Sequence, residues 1–320
     1  MSGSREEAMI YNQAITIIIV IFMAIIITSV NCSEPAQEFI GKGQNYFVQG
    51  QYDDAIAEYT KAIEQNPQCA SAYAHRGIAY DSMGEISKAI DDFNKAIEIG
   101  PKYAEVELIR HLSAVYKKRG IANIVRGDYA IAKIRSGFTS YGADANTEYE
   151  KAIEDFTKAI DLDPKDAGAY YYRGVCYYKM NGNYSNAGEY DKSISDFAKA
   201  IELDPRNALA YNKRGASYYK KDEFDKAISD CTRAIELNAN FAEAYSYRAE
   251  AYNEKDEYDK AISDITMAIK LNPKYAALEC RSRGYIYEKY GERNKAEADF
   301  QKAPWSVFER LMVERLVLDD

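Results

Sequence analysis

The chain has 320 residues, 47% of them hydrophobic and 28% charged, with a formal net charge of -9. That is enough apolar material for a large buried interior and excludes a disordered chain, while the acidic balance argues against a nucleic-acid partner, whose phosphates call for a basic face. The five cysteines form no C-x-x-C pair and the only histidines are His75 and His111, so neither a zinc site nor any other cofactor is expected; the odd, widely spaced cysteine set also argues against a disulfide scaffold.

The N-terminus comes first in chain order. Residues 14–30, AITIIIVIFMAIIITSV, carry no charge and no polar stripe. Extended back to Tyr11 they reach about 20 residues, the length that crosses a bilayer as a helix. Residues 1–32 therefore read as a membrane-targeting segment. The upstream stretch MSGSREEAMIYNQ has one Arg and two Glu, and SVNCSEPAQ downstream is a poor cleavage site. Cys32 after the apolar run resembles a bacterial lipoprotein signal, although Ser29 and Asn31 stand where that signal prefers an apolar and a very small residue. An uncleaved anchor, a lipid anchor on Cys32 and cleavage to a soluble form all stay open. An early apolar segment followed by a long domain places that domain outside the cytoplasm.

From residue 33 to 303 one pattern renews itself. A small residue marks a first helix at Gly43, Gly77, Gly120, Gly174, Gly215, Ala249 and Gly284, at intervals of 34, 43, 54, 41, 34 and 35. Four residues before most marks stands an aromatic (Tyr73, Tyr211, Tyr245), and three after it a tyrosine (Tyr80, Tyr218, Tyr252), which gathers them on one helical face. A second helix follows, with Ala55, Ala89, Ala152, Ser193, Ala227, Ala261 or Ala296, a larger residue four later (Tyr59, Phe93, Phe156, Phe197, Cys231, Ile265, Phe300) and an alanine three beyond that. Pro67, Pro101, Pro164, Pro205 and Pro273 stop these second helices.

At these residues the chain resembles the tetratricopeptide repeat family, with Y-x2-R-G-x2-Y (Tyr73, Arg76, Gly77, Tyr80) in place of W-x2-L-G-x2-Y. The resemblance implies an all-α, right-handed α-solenoid of about seven helix-turn-helix repeats. One pair cannot bury its apolar face alone, so the copied unit is a building block and its tyrosines are first of all core. The tail, residues 304–320, has Val307, Leu311, Met312, Leu316 and Val317 at helical spacing and reads as a capping helix over the last pair; a partner-binding helix is the other reading.

The resemblance also implies that first helices line a concave face where peptides or partner helices dock. The candidate contacts there are Tyr171, Tyr178, Asn212, Tyr219, Lys220, Asn253, Arg281 and Tyr285, since tyrosine offers area at low entropy cost and Asn, Lys and Arg can hold a backbone or carboxylate. A chaperone-tail clamp is not supported, because its positions hold Ile40, Gln44, His75, Ala114 and Lys118. Two further excesses, of 20 residues in the third unit and 7 in the fourth, fall between the helices of a pair. They include SGFTSYGADAN and NGNYSNAGEY, which read as surface loops; tolerated drift in length is the first reading, since long loops cost little, and a lip beside the groove, with Phe138, Tyr141 and Tyr184 as contacts, is the other. The 9-residue excess before Tyr116 reads as a helix extended at its start.

The functional reading is a membrane-attached, non-enzymatic scaffold with a protein or peptide partner. A permanent structural subunit of an envelope complex is the alternative. An enzyme, or an accessory domain to one, is disfavoured, because no phosphate loop and no nucleophile–His–acid set is visible; the Asp and Glu residues are expected mostly on exposed helix positions.

Overall fold

The computed structural model describes residues 32–100, 106–135, 142–180 and 187–304. The apolar N-terminal segment, Phe138, Tyr141, Tyr184 and the tail beyond Pro304 lie outside the described residues. Among those described there are fourteen α-helices and one 3-10 turn, no strand, and no helix long and apolar enough to cross a membrane. The chain divides into two compact units, with the boundary between Lys118 and Arg119. The first unit pairs α1 (Glu34–Val48) with α2 (Tyr52–Gln65) and α3 (Ala70–Ser82) with α4 (Ile86–Ile99). Helix α5 (Val106–Arg135) crosses the boundary. The second unit pairs it with α6 (Gly142–Leu162), then α7 (Ala167–Met180) with α8 (Ala187–Leu203) and α9 (Ala208–Lys220) with α10 (Phe224–Leu237). Next come α11 (Ala242–Glu254) with α12 (Tyr258–Leu271) and, after the turn Pro273–Tyr275, α13 (Ala276–Lys289) with α14 (Arg293–Lys302). These are the seven expected helix pairs of an α-solenoid.

The small residue of each first helix is there for space. A Cβ placed on Gly77 would stand 2.9 Å from the Phe93 ring, one on Gly174 2.9 Å from Phe197, and one on Gly284 2.6 Å from Phe300. Where the second helix offers Ile265 instead of a ring, the mark becomes Ala249, and a methyl group fits. The turns within regular pairs repeat as well. Gly50, Gly84, Asp222, Asp256 and Gly291 take positive φ, and the next amide donates back to a tyrosine carbonyl, as from Glu85 to Tyr80 and from Glu257 to Tyr252, both at 2.9 Å. This is the bond that closes a helix through a left-handed residue.

The arginine that replaces the family's leucine is not a neutral variation. Arg76 Nε and Nη2 donate to the two carboxylate oxygens of Asp92, each at 2.8 Å. The same fork joins Arg119 to Asp155, Arg173 to Asp196, Arg214 to Asp230, Arg248 to Asp264 and Arg283 to Asp299. The six aspartates are buried, a regular set of exceptions among acids that otherwise lie mostly outside the core. Nη1 reaches back to a threonine of the preceding second helix, as from Arg76 to Thr60 and from Arg248 to Thr232. The guanidinium also lies over the pattern tyrosines: Arg214 is 5.7 Å from the Tyr211 centroid and 6.0 Å from that of Tyr218. The Asp92 hydrogen bond holds the Arg76 pKa above its ordinary value against the opposing effect of burial.

This clamp measures the insertions. Arginine and aspartate are 16 residues apart in the regular pairs, 36 in the third and 23 in the fourth. The excess was expected to be loop. In the third pair most of it is helix: α5 runs on to Arg135 and α6 begins at Gly142. The extension repeats the glycine–ring contact one step further out, with Gly127 against the Tyr149 ring and the Tyr149 hydroxyl donating to Asp128. At its other end α5 starts at Val106, the early start expected from the excess before Tyr116.

Cys32 and Cys69 form a disulfide, 37 residues apart, between the residue just before the α1 cap Ser33 and the cap of α3. Two expectations are thereby corrected. The widely spaced cysteines do include a bridged pair, because folding brings the starts of two first helices side by side. The Cys32 sulfur, committed to this bond, is not free to carry a lipid.

His75 is buried in the same unit. Its Nδ1 donates to the Ser71 carbonyl at 2.8 Å, so Nε2 accepts from the Gln44 amide at 2.9 Å. Burial holds its pKa below the ordinary 6.5.

Two outcomes are expected. Asp230→Ala leaves the Arg214 guanidinium without its counter-charge and should cost about 3–5 kcal/mol in denaturant unfolding, whereas the double change to leucine at both positions should recover most of that loss. For His75, the unfolded chain takes up the proton first as pH falls. Its contribution to stability is therefore complete above the unfolded pKa and declines below about pH 6.5. Thermal unfolding between about pH 7 and pH 5.5 should show a shallower pH slope in His75→Gln than in wild type.

Candidate partner-binding groove

The first helices of the second unit line a cavity of about 390 Å³. Helix α5 supplies Ile121, Ile124 and Val125, α7 supplies Tyr171, Tyr172 and Val175, and α9 supplies Leu209 and Lys213. The opposite wall is the start of α11 (Asn240, Phe241, Ala242, Glu243), the end of α12 (Ala268, Leu271, Asn272) and Glu279 of α13. Counted from the marking small residue, Leu209 and Glu243 stand at minus six, Tyr171 at minus three, Ile121 and Val175 at plus one, and Ile124 and Val125 at plus four and five. Such spacing forms one stripe on a helix, so the pattern that packs one face also fixes which residues face the groove.

The lining is mainly apolar, with one organised polar group. Glu243 accepts from the Asn212 side-chain amide at 3.0 Å and from Lys213 Nζ at 3.1 Å. Asn212 is 0% exposed, and its Oδ1 is a buried acceptor without a hydrogen-bond partner among the described residues. An unsatisfied buried acceptor costs on the order of 1–3 kcal/mol. Val125 is 59% and Leu209 50% exposed, unusual for aliphatic side chains on such a surface.

Of the residues expected to bind a partner, Tyr171 lines this cavity, and Asn212 orients the Glu243 that does. Tyr178 lies elsewhere on the stripe, its hydroxyl 3.2 Å from that of Tyr247, and burial pushes its pKa up to about 12. Tyr219 lies tilted against Phe224 with exposed Lys220 over its ring, and burial, with the charges of Glu250 and Glu254, raises its pKa. Asn253 donates to Glu254 and also keeps a buried, unpartnered Oδ1. Arg281 and Tyr285 form a separate group on α13: Arg281 donates to the Ala303 carbonyl and the Tyr285 hydroxyl and lies over Phe300. Sequence reasoning missed Ile121, Val125, Leu209, Lys213 and Glu243. The stripe positions were available; the aliphatic ones were passed over for lack of polar chemistry, and the pairing of Lys213 with Glu243 across two first helices shows only in the folded stack.

Among the described residues no group of His, Cys, Asp or Glu is arranged to hold a metal ion. Cys176, Cys231 and Cys280 are free and buried, and burial raises their pKa, so they are inert as nucleophiles.

Family comparison agrees with this geometry. Tetratricopeptide repeat profiles match residues 40–104, 147–181, 184–222, 208–241 and 242–275. The chain belongs to the tetratricopeptide repeat family. The stretch between the first two matches holds the elongated α5 and the added first residues of α6. Among solved structures, the C-terminal part of a TPR repeat-containing protein from Cytophaga hutchinsonii is 18% identical over 82% of this chain and 92% of its own, with a TM-score of 0.54, a likeness of fold. MamA is 28% identical over 54% of this chain and 92% of its own, with a TM-score of 0.44. YrrB, described as a TPR protein with an unusual peptide-binding site, is 19% identical over 68% of this chain and 94% of its own, with a TM-score of 0.47. No curated protein matches the chain.

Proposed function

We propose that this tetratricopeptide repeat protein is a non-enzymatic scaffold that binds a protein or peptide segment in the groove between α5 and α13. The observation that carries the reading is Glu243 on the wall of a mainly apolar cavity, held in place by the buried Asn212 amide and by Lys213 Nζ. Apolar walls supply affinity, and a fixed amide and carboxylate supply orientation. Peptides selected from a random library on the full chain should lose at least about tenfold in affinity with Asn212→Ala or Leu209→Glu, as expected for anchors at the centre of a site. Selected peptides whose binding is unmoved by both changes would place the site elsewhere.

We further read the apolar N-terminal segment as a membrane-targeting signal that delivers the repeats outside the cytoplasm. The Cys32–Cys69 disulfide supports this, since such bonds persist in oxidising compartments. Peptide mapping of chains alkylated in intact cells should recover Cys32 and Cys69 as one linked pair, in the membrane fraction. Recovery of both as alkylated thiols would argue for a reducing compartment.

A further inference from the structure

Among the described residues, the first of the seven pairs alone lacks the arginine–aspartate fork. The places for it exist. Lys42 precedes Gly43 as Arg76 precedes Gly77, and Glu58 follows it at the regular spacing of 16 residues. Both charges are turned aside: Lys42 pairs with Glu38 and Glu58 with Lys61, each within its own helix. Without the fork, α1 and α2 are held to α3 by a small set of contacts. The Gln44 amide donates to His75 at 2.9 Å, Arg76 Nη1 donates to the Thr60 hydroxyl at 3.1 Å, and the Tyr59 ring lies 5.6 Å from that of His75. The covalent link is the Cys32–Cys69 disulfide.

That bond is asymmetric. Cys69 is 0% exposed and caps α3, whereas Cys32, ahead of the α1 cap, is half-buried. Thiol–disulfide exchange depends on which sulfur an attacking thiolate can reach and on how well the other one leaves. Cys32 Sγ is the reachable sulfur. Cys69 Sγ is the leaving group, and its place at the start of α3 favours a thiolate there, against the effect of burial.

We propose that the Cys32–Cys69 bond is a thiol-exchange site opened by a dithiol reductant, and that the first helix pair keeps its place on α3 only while the bond is closed. One thiolate of the reductant bonds to Cys32 Sγ, the Cys32–Cys69 bond breaks, and Cys69 Sγ leaves with the electron pair and takes a proton. The second thiol of the reductant then displaces Cys32 Sγ, which leaves as a thiol, and closes the reductant's own disulfide. The protein gains two electrons and two protons, and the dithiol loses them. The latch lies wholly within the first unit and does not depend on the groove being a binding site.

Hydrogen exchange of the full chain, read by mass spectrometry with and without dithiothreitol, tests it. After reduction α1 and α2 should exchange at least about tenfold faster, with α4 unchanged. The double variant Cys32→Ser, Cys69→Ser should match reduced wild type without any reductant. The double variant Lys42→Arg, Glu58→Asp writes the missing fork into its regular places and should restore most of the protection in the reduced chain; a reduced variant as fast as reduced wild type would overturn the role given to the missing fork. Reduction that leaves α1 and α2 protected would overturn the latch, because the other contacts then suffice. Reduction that loosens α4 equally would also overturn it, because the bond then holds the whole unit. Brief treatment with glutathione should trap the mixed disulfide on Cys32, and trapping on Cys69 would overturn the assigned direction of attack.

Discussion

The arginine–aspartate clamp is the constraint on which the array depends. A buried ion pair is seldom more stabilising than apolar residues of the same shape, because both charges must leave water. What it adds here is register. A fork that donates to both oxygens of one carboxylate tolerates no sliding of the two helices, and the third nitrogen, bonded to a threonine of the preceding pair, carries the alignment onward. Tyrosine faces complete the enclosure of the guanidinium, so the aromatic positions serve the charge as well as the core. A helix pair held only by glycine, alanine and a ring would have neighbouring registers of similar energy.

A fixed register explains why a 20-residue insertion left the fold intact. Residues added between arginine and aspartate must enter both helices in step or leave as loop. The third pair took the first course, and Gly127 against Tyr149 reproduces Gly120 against Phe156 seven residues further out on each helix. The elongated α5 carries Ile121, Val125 and Tyr129 along one side, all exposed. One wall of the groove is thus longer and more apolar than its neighbours, as a result of a growth rule that concerns only packing.

How much of this was legible in the sequence depended on whether the interaction is local. The glycine–ring contacts recur at fixed spacing, so the seven pairs could be read directly. Arg214 and Asp230 recur just as regularly, but arginine at a leucine position looks like a surface variant until its partner on the facing helix is known. The disulfide was hidden for a different reason: Cys32 and Cys69 share no motif, and only the stacking of α1 beside α3 brings them together. Asn212 was chosen from the sequence for its chemistry and Leu209 passed over for its lack of any, yet exposure of an aliphatic group is itself the signal, and exposure is not written in one residue.

The two ends of the array are finished by different means. In the first pair the clamp is missing: Lys42 pairs with Glu38 and Glu58 with Lys61, each within its own helix. The disulfide ties that end instead, restricting the unfolded chain where no arginine–aspartate fork joins the pair. The seventh pair keeps its clamp, with Lys302 added to the Arg283–Asp299 fork, and holds exposed Glu297 where the second helices of the other six hold an isoleucine. Burial alone would raise the Asp299 pKa, but the hydrogen bonds and charges of Arg283 and Lys302 outweigh it and hold it low, so this last carboxylate stays ionised. An end that retains its internal clamp and presents polar side chains outward has no need of a further helix for stability.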